Sequence, residues 1–179
     1  MTRIFISVPV SNATGLSTFY QELSRVKGVS VSPVYQLHIT LAFLGEVPED
    51  RLEDIYAVAD GAVRGRIGGR IRLKGAGCFP NTKHPSVVWV GVESDVDLAG
   101  ISADLRTGLK RIGISCDGKP FIPHVTVGRV KGEPRIQILM NKYRSEEFAS
   151  VLCNDIRVMG STLTPQGAQH KILHVSYLD

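Results

Sequence analysis

Apolar and polar residues alternate along RIFISVPV, from Arg3 to Val10, and the two-residue period predicts a strand. The period then lengthens. Leu16, Phe19, Tyr20, Leu23 and Val26 recur three or four apart, which places them on one face of a helix that Gly28 would stop. HITLAFL, beginning at His38, returns to a strand, closed by Gly45. Pro48 followed by Glu49 and Asp50 marks a helix start, with acids where the helix dipole favours them. Leu52, Ile55, Tyr56, Ala59 and Val63 supply that helix's apolar stripe. IRLKGAGCF and SVVWVGV read as strands joined by the turn-rich PNTKHP.

The second half repeats this plan. Asp95 is placed to cap a helix whose buried face is Leu98, Ile101, Leu105, Leu109 and Ile112, and Gly113 would end it. The strand HVTVGRV follows, then a short helix opened by Pro134 with Ile136, Leu139, Met140 and Tyr143 on one side. SVLCNDIRVMGSTL and HKILHVSYL read as closing strands. A strand, a helix and a strand beginning His-x-Thr therefore occur twice, and a duplicated unit is the simplest explanation. The expectation is an α+β fold, one two-lobed domain over residues 1–179 with tandem motifs at 38–41 and 124–127. Its bilobal, pseudo-twofold duplication would set two largely antiparallel β-sheets around a central cleft, with helices on the outer faces.

Composition narrows the class. With 43% hydrophobic residues in 179, the chain can bury a real core. Its longest apolar runs fall far short of a membrane span, and its first residues alternate like a strand where a signal peptide would be continuously apolar. These features predict a cytoplasmic protein with no membrane partner, and a monomer is the default. Cys78, Cys116 and Cys153 are scattered and form no CxxC pair, which argues against a disulfide framework and a zinc site and makes them small core residues. A net charge of +4 permits a phosphate-bearing ligand without requiring one.

The chemistry lies in the two motifs, which use two of only five histidines. Residues two apart on a strand share a face. Ile39, Leu41 and Phe43 would then point into the core and His38 and Thr40 away from it; likewise Val125 and Val127 in, His124 and Thr126 out. Facing lobes would bring both pairs to the floor of one cleft. In-line displacement at phosphorus needs that set: one group takes a proton from the nucleophile and another gives one to the leaving oxygen. Histidine suits both roles, with an ordinary pKa of about 6.5. Threonine hydroxyls beside them can donate to the non-bridging oxygens. A lone His-x-Thr in a strand says little, because threonine is common there. The matched copies carry the inference.

At these residues the chain resembles the two-histidine phosphoesterases, and within them the bacterial and archaeal RNA 2′,3′-cyclic phosphodiesterases, long called 2′-5′ RNA ligases. LHITLAFLGEV and PHVTVGR resemble the two signature motifs, RIFISVPV the opening strand, GCFPN with VVWVGV the middle strands and STLTPQGAQH the closing motif. The resemblance implies metal-independent, cofactor-free hydrolysis of a 2′,3′-cyclic phosphate on RNA ends or small nucleotides, reversible in principle as 2′-5′ ligation. It implies His38 as proton donor, His124 as proton acceptor, and Thr40, Thr126 and Arg129 as phosphate-binding groups. By strict alternation Arg129 shares a face with Val125 and Val127, so reaching the cleft requires a bulge, for which Gly128 is suited. Ser86 stands where many relatives carry a basic residue, and Lys83 and His84 are the nearby substitutes. His170 replaces a frequent aromatic; it and His174 are expected to be strand surface or core residues, and Phe79 and Trp89 core. Arg66, Arg70, Arg72 and Lys74 form a basic run that reads as a solvated face before an RNA track. The competing class is a non-catalytic nucleotide or RNA-binding module using the same cleft; a metal site lacks a third ligand at suitable spacing.

Overall fold

A computed structural model describes residues 1–10 and 14–179. Its strands are β1 (Thr2–Pro9), β2 (Val29–Val31), β3 (His38–Val47), β4 (Gly69–Phe79), β5 (Val87–Ser94), β6 (His124–Val130), β7 (Glu147–Cys153), β8 (Asp155–Thr164) and β9 (Gly167–Tyr177). The helices are α1 (Ser17–Ser24), α2 (Leu52–Val63), α3 (Leu98–Arg111) and α4 (Gln137–Lys142). The fold is α+β with antiparallel pairing throughout, as expected.

The strands form one sheet, where two were expected. Its order is β7-β4-β5-β6-β3-β1-β8-β9, with β2 also paired to β6. The two motif strands, β3 and β6, meet in the middle through a single pair, Ile39 opposite Val125. Outward from this seam each half has three further strands. The β4–β7 half is one continuous stretch of chain, whereas the other half takes β1 and β3 from early in the sequence and β8 and β9 from late in it.

Helices cross between the halves. α1 stacks Phe19 on Tyr143 and Phe148, with ring centroids 4.8 and 5.4 Å apart, and so packs with the β4–β7 half. α3 packs against β3 and against α2, which lies on β8 and β9. Ile101, Leu105 and Leu109 of α3 and Ile55 and Ala59 of α2 are fully buried, as their spacing predicts. Each such leucine or isoleucine contributes roughly 1.5–3 kcal/mol. Cys78 and Cys153 join this core, and burial pushes both thiols up to about 11. Among the described residues no helix is long and apolar enough to cross a membrane.

Three local expectations are corrected, and one strand escaped the sequence. Asp97, not Asp95, caps α3 by accepting a hydrogen bond from the Gly100 N–H (3.0 Å), while Asp95 pairs with Arg72. β3 does not stop at Gly45 but passes through it, at φ +71°, to Val47. The stretch read as one strand, SVLCNDIRVMGSTL, divides at Asn154, because β7 pairs with β4 and β8 with β1. The short β2 gives no pattern to read: its three residues are half-buried or exposed.

Candidate active site

Strand register explains why the site forms. On β1, Ile4, Ile6 and Val8 point into the core; Arg3, Phe5 and Ser7 point to the opposite face, where Phe5 and Ser7 are buried as well. On β3, Ile39 is buried and His38 and Thr40 are not, as alternation requires. Here the pattern breaks. Ile6 lies opposite Ala42 and Ser7 opposite Thr40, so Leu41 is an extra residue, a β-bulge. Leu41 and Ala42 are both buried, and Phe43 is turned onto the face of His38 and Thr40. The expectation that Phe43 faces the core is therefore overturned by the bulge.

β6 does the same thing at the same motif position. Val88 lies opposite Gly128 and Trp89 opposite Thr126, which makes Val127 the extra residue. Val127 and Gly128 are both buried, and Arg129 swings onto the face of His124 and Thr126. A Cβ at Gly128 would sit 3.2 Å from the Ser30 carbonyl oxygen, so the small residue lets β2 pack close. Each bulge frees a carbonyl, and each is satisfied. The Leu41 oxygen accepts from the Ser102 hydroxyl (2.7 Å), and the Val127 oxygen from the Ser32 N–H (2.8 Å).

Because Ile39 opposes Val125 in antiparallel register, His38 opposes Thr126 and Thr40 opposes His124. The histidines occupy one diagonal of a square and the threonines the other; in a regular ladder such diagonal neighbours are roughly 7–8 Å apart. The two rings are held alike. His38 Nδ1 donates to the Gln36 carbonyl (2.8 Å) and His124 Nδ1 to the Ile122 carbonyl (2.7 Å), each two residues upstream. A carbonyl only accepts, so both Nδ1 atoms carry the proton and both Nε2 atoms are left for chemistry. A phenylalanine backs each ring: Phe5 stacks on His38 at 4.8 Å, and Phe79 meets His124 edge-on at 5.0 Å.

Two adjoining cavities flank this square. One of about 550 Å³ contains His38, Thr40, Thr126, Arg129, Phe43, Arg3 and His170, and among the described residues no carboxylate lines it. The other, about 520 Å³, contains His124 and shares Thr40, Thr126, Phe43 and Arg129 with the first. The threonines and Arg129 thus lie between the two imidazoles. Burial is the main influence on His38 and pushes its imidazole below the ordinary histidine range. The Gln36 carbonyl pulls the other way, and the imidazoles of His170 and His124 push it further down.

All five residues singled out from the sequence, His38, Thr40, His124, Thr126 and Arg129, therefore come together. His170, expected to be inert strand surface or core, instead stands at the site: its ring lies 5.6 Å from that of His38 and 4.9 Å from that of Phe5. His174 is a surface residue as expected, stacked on Tyr56 and bonded to Asp60. Phe79 lines the His124 cavity rather than the core, with Trp89 behind it at 5.4 Å. His84 pairs with Glu133, and neither it nor Lys83 lines these cavities. Three of the basic run are ion-paired: Arg66 bridges Asp97 and Asp104, and Arg72 and Lys74 reach Glu93, while Arg70 donates to the Ser150 hydroxyl. Missed in the sequence were Arg3, Phe5 and Phe43. The alternation of β1 points to the first two, but nothing in the sequence marks the Leu41 bulge that turns Phe43.

A curled, wholly antiparallel sheet with twin His-x-Thr strands at its seam is the frame of this chain, and known proteins are similar to it in fold and sequence. TT0787 of Thermus thermophilus superposes with a TM-score of 0.85 over 98% of this chain and 97% of its own, at 28% identity. An RNA 2′,3′-cyclic phosphodiesterase of Archaeoglobus fulgidus is 37% identical over 97% of this chain and 98% of its own length. Its counterpart in Methanocaldococcus jannaschii is 29% identical over 96% of this chain and 98% of its own. The profile of the 2′-5′ RNA ligase superfamily matches residues 14–163, and the chain belongs to that family.

Proposed function

We propose that this protein hydrolyses 2′,3′-cyclic phosphates, on RNA ends or nucleotides, to 2′-phosphomonoesters. The observation that carries this reading is the matched presentation of two imidazole Nε2 atoms on either side of a threonine pair and one arginine. His124 Nε2 takes a proton from water as its oxygen bonds to phosphorus. The P–O3′ bond breaks on the opposite side, and O3′ takes a proton from His38 Nε2. Thr40 and Thr126 donate to the non-bridging oxygens, and Arg129 balances their charge. Solvent then reprotonates His38 and deprotonates His124.

The acid role of His38 is supported by its environment. Burial among imidazoles makes its conjugate acid stronger, and the negative charge of a bound phosphodiester favours the protonated form that catalysis needs. With a 5′-hydroxyl in place of water as the nucleophile, the same ring opening bonds O5′ to phosphorus as O3′ leaves, and the same groups support 2′-5′ ligation. The assignment is tested with an oligonucleotide ending in a 2′,3′-cyclic phosphate, in EDTA. Wild type turns it over, and His38→Ala or His124→Ala lowers kcat by about 10²–10⁴. Equal turnover by wild type and variants rejects the mechanism; tight binding with no turnover by any of them identifies a binding module instead.

A further inference from the structure

The cavity on the His38 side is larger than one phosphate needs, and it holds a second cation that the proposed reaction leaves unused. Arg3 shares the site face of β1 with Phe5 and Ser7. Its guanidinium carbon lies 5.5 Å from the centre of the Phe43 ring. Arg51, Arg66, Arg72, Arg106 and Arg157 each pair with a carboxylate. Arg3 does not, among the described residues; it has an aromatic face, which positions a guanidinium without neutralising it.

Position matters as much as charge. Phe43 is the β3 counterpart of Arg129, each displaced onto the site face by the bulge before it. Arg129 reaches both cavities and so stands at the reacting phosphate, whereas Arg3 lines only the cavity of His38. If His38 is the acid, O3′ leaves toward it. The ribose that owns O3′, and the chain that continues through its 5′ carbon, must then lie on that side. At about 550 Å³, the cavity can take more than the cyclic phosphate itself.

We infer that Arg3, seated on Phe43, is a second anion subsite, which takes the phosphodiester one nucleotide inward from the cyclic end. The enzyme then favours oligonucleotide ends over cyclic mononucleotides. This rests on the hydrolase reading above.

The test compares wild type with Arg3→Ala and Arg3→Lys on a 2′,3′-cyclic mononucleotide and on a short RNA with the same terminal nucleotide. Arg3→Ala is expected to lower kcat/KM for the RNA about tenfold, mostly through KM. Mononucleotide turnover stays within about twofold and reports that the variant is folded. The slope of log affinity against log salt falls by about 0.7, one phosphate contact on a single strand, and Arg3→Lys keeps part of that slope. Equal loss on both substrates places Arg3 at the reacting phosphate and overturns the subsite; no loss on either also overturns it. If wild type turns over neither substrate, the proposed reaction fails. The subsite is then read by anisotropy with an RNA ending in a 2′-phosphate, where undiminished binding by Arg3→Ala overturns it.

Discussion

The two halves of the sheet build their histidines by the same rules and surround them differently. Both use a strand opening with His-x-Thr, a bulge at the fourth motif residue, an Nδ1 bond to the carbonyl two residues back and a phenylalanine behind the ring. They part at the sixth residue, which is Phe43 in one half and Arg129 in the other, and in neighbours, since His38 has His170 beside it. The shared frame holds the two imidazoles alike, and their surroundings set them apart. Acid and base need not be different residue types when environment alone can divide the labour.

That comparison can be broken. If the frame is symmetric, Thr40→Val and Thr126→Val each cost about 10²–10³ in kcat, as loss of a preorganised donor does; a large effect at one and none at the other shows that a single threonine holds the phosphate. A smaller effect separates the bulges. Only the Leu41 carbonyl relies on a side chain, the buried hydroxyl of Ser102. Ser102→Ala should destabilise the fold by about 1–3 kcal/mol in chemical denaturation, and an unchanged midpoint means that the bulge does not need that bond. The subtlest test concerns His170. Protonated, it disfavours a proton on His38, so in His170→Asn the His38 ring resonances should titrate at higher pH by NMR. An unmoved or lowered midpoint removes His170 from the electrostatics of the site. Stability carries the same sign: folded His38 binds its proton less readily than the unfolded chain does. The fold therefore loses stability as pH falls below about 6.5 toward the depressed value of His38.

Much of this was legible because periodicity reports burial. The stripes of α2 and α3, the alternation of β1 and the paired motifs all follow from which face meets the core. The residues that escaped are those where register departs from strict alternation. Phe43 was assigned to the core because a bulge shifts parity without changing composition. Arg129 was placed only by supposing such a bulge, which the structure puts at Val127 beside Gly128. His170 could not be located from sequence, since its neighbours Phe5 and His38 lie far away along the chain and are brought near by the pairing of β8 with both β1 and β9. The single sheet was also hidden, because the one pair that joins the halves depends on Ile39 and Val125 meeting across the seam.

The discontinuity of the β1–β3–β8–β9 half has a consequence for synthesis on the ribosome. Strands β4 to β6 and the helix between them are local in sequence and can pair soon after they emerge. The cradle of His38 has to wait, since β1 stays without an outer neighbour until β8 and β9 have been made. A nascent chain can thus hold the strands that frame His124 while it still lacks the walls around His38.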